Sequence, residues 1–209
     1  MSDVRVRQRD GILRRMERGP RAWRLRREDL IQRPRIWKYR AMWTCRRLTG
    51  NPVILQPVLF LGQGEIVLGR DVVFGWRGSP LYYTGYSHVE ASGAASRIEV
   101  GDGVVFSNNV YVKSEGAGIQ IGPSAGLGAF VEVIDSDFHD LDPRRHWSGT
   151  PDTAPVVIGP NVMVMSGTRV LKGVTIGEDS IIGVGSVVTS SIPAGVLAAG
   201  APARIVREL

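Results

Sequence analysis

From Ile158 to Val188 every sixth residue is aliphatic: Ile158, Val164, Val170, Ile176, Ile182 and Val188. A second apolar residue often sits two places earlier, as Ile98 before Val100, Val104 before Phe106, Val110 before Val112, Val162 before Val164 and Val174 before Ile176. Side chains two apart on a strand share one face. Each hexad therefore supplies a short strand with inward side chains, and the small or polar residues that follow turn a corner. Three hexads make one coil of 18 residues, the spacing from Ile158 to Ile176. The same beat runs earlier through Val100, Phe106 and Val112 and, after a slip of three residues, through Ile121, Leu127 and Val133. One coil cannot bury its own apolar edges, so the coils must stack around a shared core. A β-sandwich would show strands at irregular spacings of about 8 to 12 residues. A helical array would show a period of about 3.6. The expected class is all-β, a parallel β-solenoid.

Charge divides the chain of 209 residues in two. Residues 1–50 carry 16 Lys/Arg against 5 Asp/Glu, and the remainder carries 10 against 15. The expected organisation is a basic, partly helical N-terminal extension over 1–50 and a solenoid over 51–209, with an extruded loop at about 135–157. Trp23, Leu25, Leu30, Ile31, Ile36, Trp37, Met42 and Trp43 interleave with arginines in the extension, a composition suited to a helix at an anionic interface. Pro34 is expected to break or end any helix there. The readings, in order, are a cap on the open end of the prism and a peripheral membrane contact. Nucleic acid is set aside, because no base-reading motif accompanies the arginines. Cys45 is the only cysteine, which removes an intramolecular disulfide and a multi-cysteine zinc cage. No apolar run approaches membrane-spanning length and the first residues lack a signal-peptide core, so the expected location is cytoplasmic, at most at the inner face of a membrane.

The repeats, Ile192-Pro193-Ala194-Gly195, the segment from Ala199 to Arg204 and the 135–147 loop together resemble the hexapeptide-repeat acyltransferases, specifically the maltose/galactoside and polysaccharide O-acetyltransferase branch. The resemblance spans about residues 60 to 207. It implies a left-handed parallel β-helix, a homotrimer, and transfer of acetyl from acetyl-CoA to a hydroxyl of a sugar or glycan, in surface polysaccharide or lipopolysaccharide synthesis. Handedness comes from the resemblance and not from the spacing. No metal is expected. The alternatives are a non-enzymatic β-helix scaffold, and transfer of a different acyl group or to an amine.

The lattice is interrupted where this chemistry would sit. The inward position after Val133 falls on His139, within Asp135-Ser136-Asp137-Phe138-His139-Asp140-Leu141-Asp142-Pro143, and the strict beat resumes only at Ile158. The family pattern of histidine, then Asp-Pro, then arginine matches His139, Asp142, Pro143 and Arg144 or Arg145, and implies that His139 is the general base. Neutral imidazole suits that task, one nitrogen taking the hydroxyl proton while an acceptor on the other fixes the tautomer. If 135–139 stays extended, Asp135, Asp137 and His139 project to one side and either aspartate could hold the ring. The resemblance further implies that the Ser166 amide faces the thioester oxyanion, that Val184, Thr189 and Ser190 lie along the coenzyme, and that Arg204 and Arg207 meet its phosphates. Relatives often have an aromatic residue at the Met163 position and a lysine at the Ser190 position. Asn108 is the acceptor-side asparagine, with His146 and Trp147 as further acceptor contacts. His88, Trp76 and Tyr83 are weaker candidates for the same role.

The acidic loop lacks the glycine and glutamate positions of a calcium-binding loop. Three histidines in the whole chain, two of them in one loop, argue against a three-histidine zinc hydratase. Gly183-Val184-Gly185-Ser186 reads as a coil corner, since it lacks the third glycine of a dinucleotide fingerprint.

Overall fold

The computed structural model describes residues 22–209, with side chains from Leu30 onward; the first 21 residues of the basic extension lie outside the described residues. The hexads form the short strands that the period demands, stacked into three parallel sheets. The first face runs from Arg47–Thr49 through Glu65–Leu68, Arg97–Val100, Ile119–Ile121 and Val156–Ile158 to Thr175–Ile176. The second begins at Val53–Ile54 and ends at Val196–Gly200, on which the last strand, Ala203–Glu208, folds back antiparallel. The third runs from Val58–Gly62 to Val187–Val188.

Register confirms the periodicity. Ile158 pairs with Ile176, Val164 with Ile182 and Val170 with Val188, each 18 residues on. All six hexad positions from Ile158 to Val188 are at most 1% exposed, and each fully buried Val or Ile contributes about 2 kcal/mol relative to exposure. The slip in the sequence is a coil of 21 residues from Val100 to Ile121, its extra length housed at the corner around residues 115–118. The coil from Ile121 to Ile158 spans 37 residues because the 135–155 excursion leaves it. That excursion departs at the corner between the third and first faces. A second interruption, at about 75–86, lies at the corner between the second and third faces.

The corner between the first and second faces never lengthens. Gly69, Gly101, Gly122, Gly159 and Gly177 stack there, one per coil, and a Cβ on any of them would come within 2.3–2.8 Å of a backbone nitrogen of the next coil. Two residues beyond, Asp71, Ser124, Asn161 and Asp179 adopt left-handed φ of 54–60°. That conformation is one that Asn and Asp tolerate best among non-glycine residues.

The extension forms helix α1, Ala22–Arg40, which runs through Pro34 rather than ending there. Proline removes one helical hydrogen bond, and tertiary anchoring offsets the loss. Gln32, 4% exposed, donates from Nε2 to the carbonyls of Leu55 (3.2 Å) and Tyr82 (2.8 Å). Arg35 donates to the carbonyls of Tyr82 (3.2 Å) and Gly85 (2.6 Å), and Trp43 Nε1 to that of Val58 (2.7 Å). Trp43 meets Phe60 edge-on at 4.8 Å, Phe60 meets Phe74 at 5.5 Å, and Phe74 stacks on Phe106 at 4.5 Å. This column of rings fills the N-terminal end of the prism, and α1 with Trp43 closes it.

Candidate active site

Asp135 marks the departure of the long loop. It is fully buried and accepts the Ser114 hydroxyl and the amides of Glu115 and Gly118, each at 2.7 Å. These bonds close the neighbouring 115–118 corner and turn the carboxylate into it, and among the described residues no imidazole contacts it. Ser136 bridges antiparallel to Thr153, so the excursion starts as a narrow neck. Phe138 then takes a φ of 61°, which breaks the alternation that would have kept residues 135, 137 and 139 on one side. Asp137 turns instead to Lys172 of the next coil, Oδ2 to Nζ 3.1 Å, and Lys172 also meets Asp152 Oδ2 at 3.1 Å. The Lys172 ammonium donates to Asp152 and pairs with the Asp137 carboxylate, and these contacts hold it above the usual lysine range.

His139 is exposed near the outer end of the loop. Among the described residues neither aspartate bonds its ring; Nδ1 lies 3.3 Å from the His146 carbonyl oxygen. A carbonyl only accepts, so this contact requires a proton on Nδ1, and in the neutral ring Nε2 is then the nitrogen that carries the lone pair. The sequence-based expectation that an aspartate fixes the tautomer is therefore corrected: a backbone oxygen does so. His146 donates from Nδ1 to the Asp140 carbonyl at 2.7 Å, which holds its own backbone in place. Trp147, 90% exposed, meets the His139 ring edge-on at 5.1 Å. Arg145 pairs with Asp140 (3.3 Å) and Asp142 (3.5 Å), so the Asp-Pro-Arg part of the motif folds the loop.

Asn108 is corrected too. It is fully buried, its Oδ1 accepting the Trp76 amide at 2.8 Å and its Nδ2 lying 2.9–3.0 Å from the carbonyls of Trp76, Ser79 and Pro80. It pins the 75–86 loop and presents no open polar atom to an acceptor. Trp76 and Tyr83 are partly exposed on that loop. His88 belongs to a polar cluster on the third face, its Nε2 2.8 Å from Glu90 Oε2, and Lys113 Nζ lies 2.9 Å from Glu115 and over the Phe138 ring at 5.2 Å. Burial alone would raise the Glu90 carboxyl, but bonds to His88 and Ser92 and the Lys113 charge outweigh it and hold it below the usual range.

The coenzyme candidates are all exposed. Ser166 and Val184 stack one coil apart at the corner between the second and third faces, the Ser166 carbonyl accepting the Gly185 amide at 3.0 Å. The Ser166 amide has no acceptor among the described residues. Thr189 and Ser190 follow Val187–Val188 at the next corner, the one from which the His139 loop departs, and Arg204 and Arg207 lie on the return strand of the second face. Within one chain His139 and Ser166 thus stand on different edges of the prism. Among the described residues no group of three or more His, Cys, Asp or Glu could hold a metal, and no helix is long and apolar enough to cross a membrane.

Residues 155–190 match the family described as Bacterial transferase hexapeptide (six repeats). The chain is 34% identical over 114 residues to a Saccharomyces cerevisiae protein, covering 54% of this chain and 57% of that one. It is 37% identical over 99 residues to the galactoside O-acetyltransferase of Escherichia coli, covering 47% and 45%. The chain thus spans about half the length of these curated relatives. A hexapeptide-repeat-containing acetyltransferase of Vibrio cholerae, solved with acetyl coenzyme A, is similar in structure at 26% identity and a TM-score of 0.50, covering 74% of this chain and 72% of that one. By its repeat, its coil and these likenesses, the chain carries the hexapeptide repeat of bacterial transferases, is similar to hexapeptide-repeat acetyltransferases, and folds as a left-handed parallel β-helix.

Proposed function

We propose that this chain transfers an acetyl group from acetyl-CoA to a hydroxyl of a sugar or glycan, with His139 as general base. The observation that carries the reading is the His139 ring, fixed through Nδ1 by the His146 carbonyl and presenting Nε2 from the loop that interrupts the coil. Nε2 accepts the proton of the acceptor hydroxyl as its oxygen attacks the thioester carbonyl. The Ser166 amide stabilises the oxyanion, and CoA leaves as its thiol after reprotonation by the imidazolium. Val184, Thr189 and Ser190 flank the pantetheine arm, and Arg204 and Arg207 meet the phosphates. The separation of His139 from Ser166 on two edges favours a site completed by a second copy, hence a homotrimer with three equivalent clefts. Trp147 and His146, beside the base, contact the acceptor. The acceptor is an intermediate of surface polysaccharide or lipopolysaccharide synthesis, handled in the cytoplasm at the inner face of the membrane.

The test is His139→Ala assayed by thiol release against a panel of sugar acceptors. Turnover is expected to fall by about 10²- to 10⁴-fold, while the rise in melting temperature that acetyl-CoA gives the native chain is kept. Near-normal turnover in the variant would remove His139 from the role. No thermal shift of the native chain at saturating acetyl-CoA would overturn the transferase reading in favour of a scaffold.

A further inference from the structure

Helix α1 has two faces with opposite fates. Gln32, Ile36, Tyr39 and Trp43 follow one another at helical spacing and turn toward the coil, buried or half-buried. On the opposite side Leu30, Pro34, Trp37 and Ala41 recur at i, i+4, i+7 and i+11, and all four are exposed. Leu30 and Trp37 are each 74% exposed, and Ile31 and Met42 beside them 51% and 49%. Arg33 and Arg40 flank the stripe on one side and Lys38 on the other. Glu28 and Asp29 precede the stripe on α1, and from Leu30 to Gly64 the sequence contains no further Asp or Glu.

We infer that this outward face of α1 docks on an anionic lipid membrane, its apolar stripe entering the headgroup boundary and Arg33, Lys38 and Arg40 meeting the lipid phosphates. The inference gives residues to the inner-face location proposed above and rests on that reading only for its biological setting, since α1 holds none of the proposed transfer residues. Charge and composition choose the occupant. A second copy meeting this face across a two-fold axis would bring Arg33, Lys38 and Arg40 against their own counterparts. A nucleic acid would satisfy the cations but gains little from Leu30, Ile31 and Met42, which offer bases no stacking surface. A membrane surface uses both halves, with tryptophan at the level of the headgroups and aliphatic side chains just below them.

The experiment is flotation of the full chain with phosphatidylcholine vesicles and with vesicles containing about 30% phosphatidylglycerol, at low and high salt. The native chain is expected to float with the anionic vesicles only, less so at high salt. Leu30→Glu combined with Trp37→Glu should lower the bound fraction about tenfold, as should Arg33→Glu combined with Lys38→Glu. Retention of the acetyl-CoA thermal shift by each variant shows that the fold survives. A native chain that stays with the buffer, or variants that float as well as it does, would overturn the inference. So would failure to float together with a lower oligomer mass in the Leu30/Trp37 variant, or with tight retention on an oligonucleotide. Flotation without any acetyl-CoA shift in the native chain would refute the transferase and leave the docking surface standing.

Discussion

Lys172 Nζ lies 3.1 Å from Asp137 Oδ2 and 3.1 Å from Asp152 Oδ2. One cation thus ties both arms of the His139 loop to the following coil. Partly exposed ion pairs add little to global stability, so their consequence here is positional.

Lys172→Met is accordingly expected to leave the melting temperature within a few degrees of the native value and to lower kcat/KM about tenfold, because the base loses its fixed approach to the acceptor. Steady-state kinetics beside a thermal melt checks both halves. A variant with native kcat/KM would remove Lys172 from any positioning role.

Asp135→Asn should destabilise the fold by about 2–4 kcal/mol, since an amide cannot accept all three donors and leaves a buried group unpaired. Asp137→Asn, whose carboxylate meets only the half-exposed Lys172, should cost about 1 kcal/mol or less. Denaturant unfolding of the two variants gives the comparison, and equal losses would contradict the geometry.

Asn108→Ala leaves the Trp76 amide and the carbonyls it faced without a side-chain partner, and an expected loss of about 2 kcal/mol follows. The 75–86 loop should loosen first, visible as faster hydrogen exchange there than in the coils. An acceptor KM raised with stability unchanged would instead restore Asn108 to substrate contact.

The depressed Glu90 carboxyl binds its proton less readily in the folded chain than in the unfolded one. Its contribution is therefore complete above the ordinary carboxylate range, about pH 4, and is lost as pH falls through the lower folded value. Glu90→Gln should flatten the acid limb of the stability curve measured by denaturant unfolding and change its neutral-pH value the most. A variant curve parallel to the native one at every pH would contradict this.

The core was legible because its signal is periodic: Ile158 to Val188 are named by spacing alone, and all are buried. The loop was legible as a failure of that spacing between Val133 and Ile158. What happens inside it was not, because the partners of Asp135 come from residues 114–118, a corner that no local pattern connects to residue 135. The tautomer of His139 depends on the His146 carbonyl, a group every residue carries and no sequence singles out. Asn108 did leave a trace. It stands two places after Phe106, so the alternation that buries Phe106 turns Asn108 inward as well. Lys172 carried none, being one basic residue at one corner among many until the return of the loop brings Asp152 beside it.

The stacked glycines at the corner between the first and second faces divide the surface by what can be built on it. There the next coil's backbone lies too close for even a methyl group. Grafted loops, tags or altered acceptor-binding segments belong at the other two corners, where the chain already carries its detours; the glycine seam is the spine against which such remodelling has to be indexed.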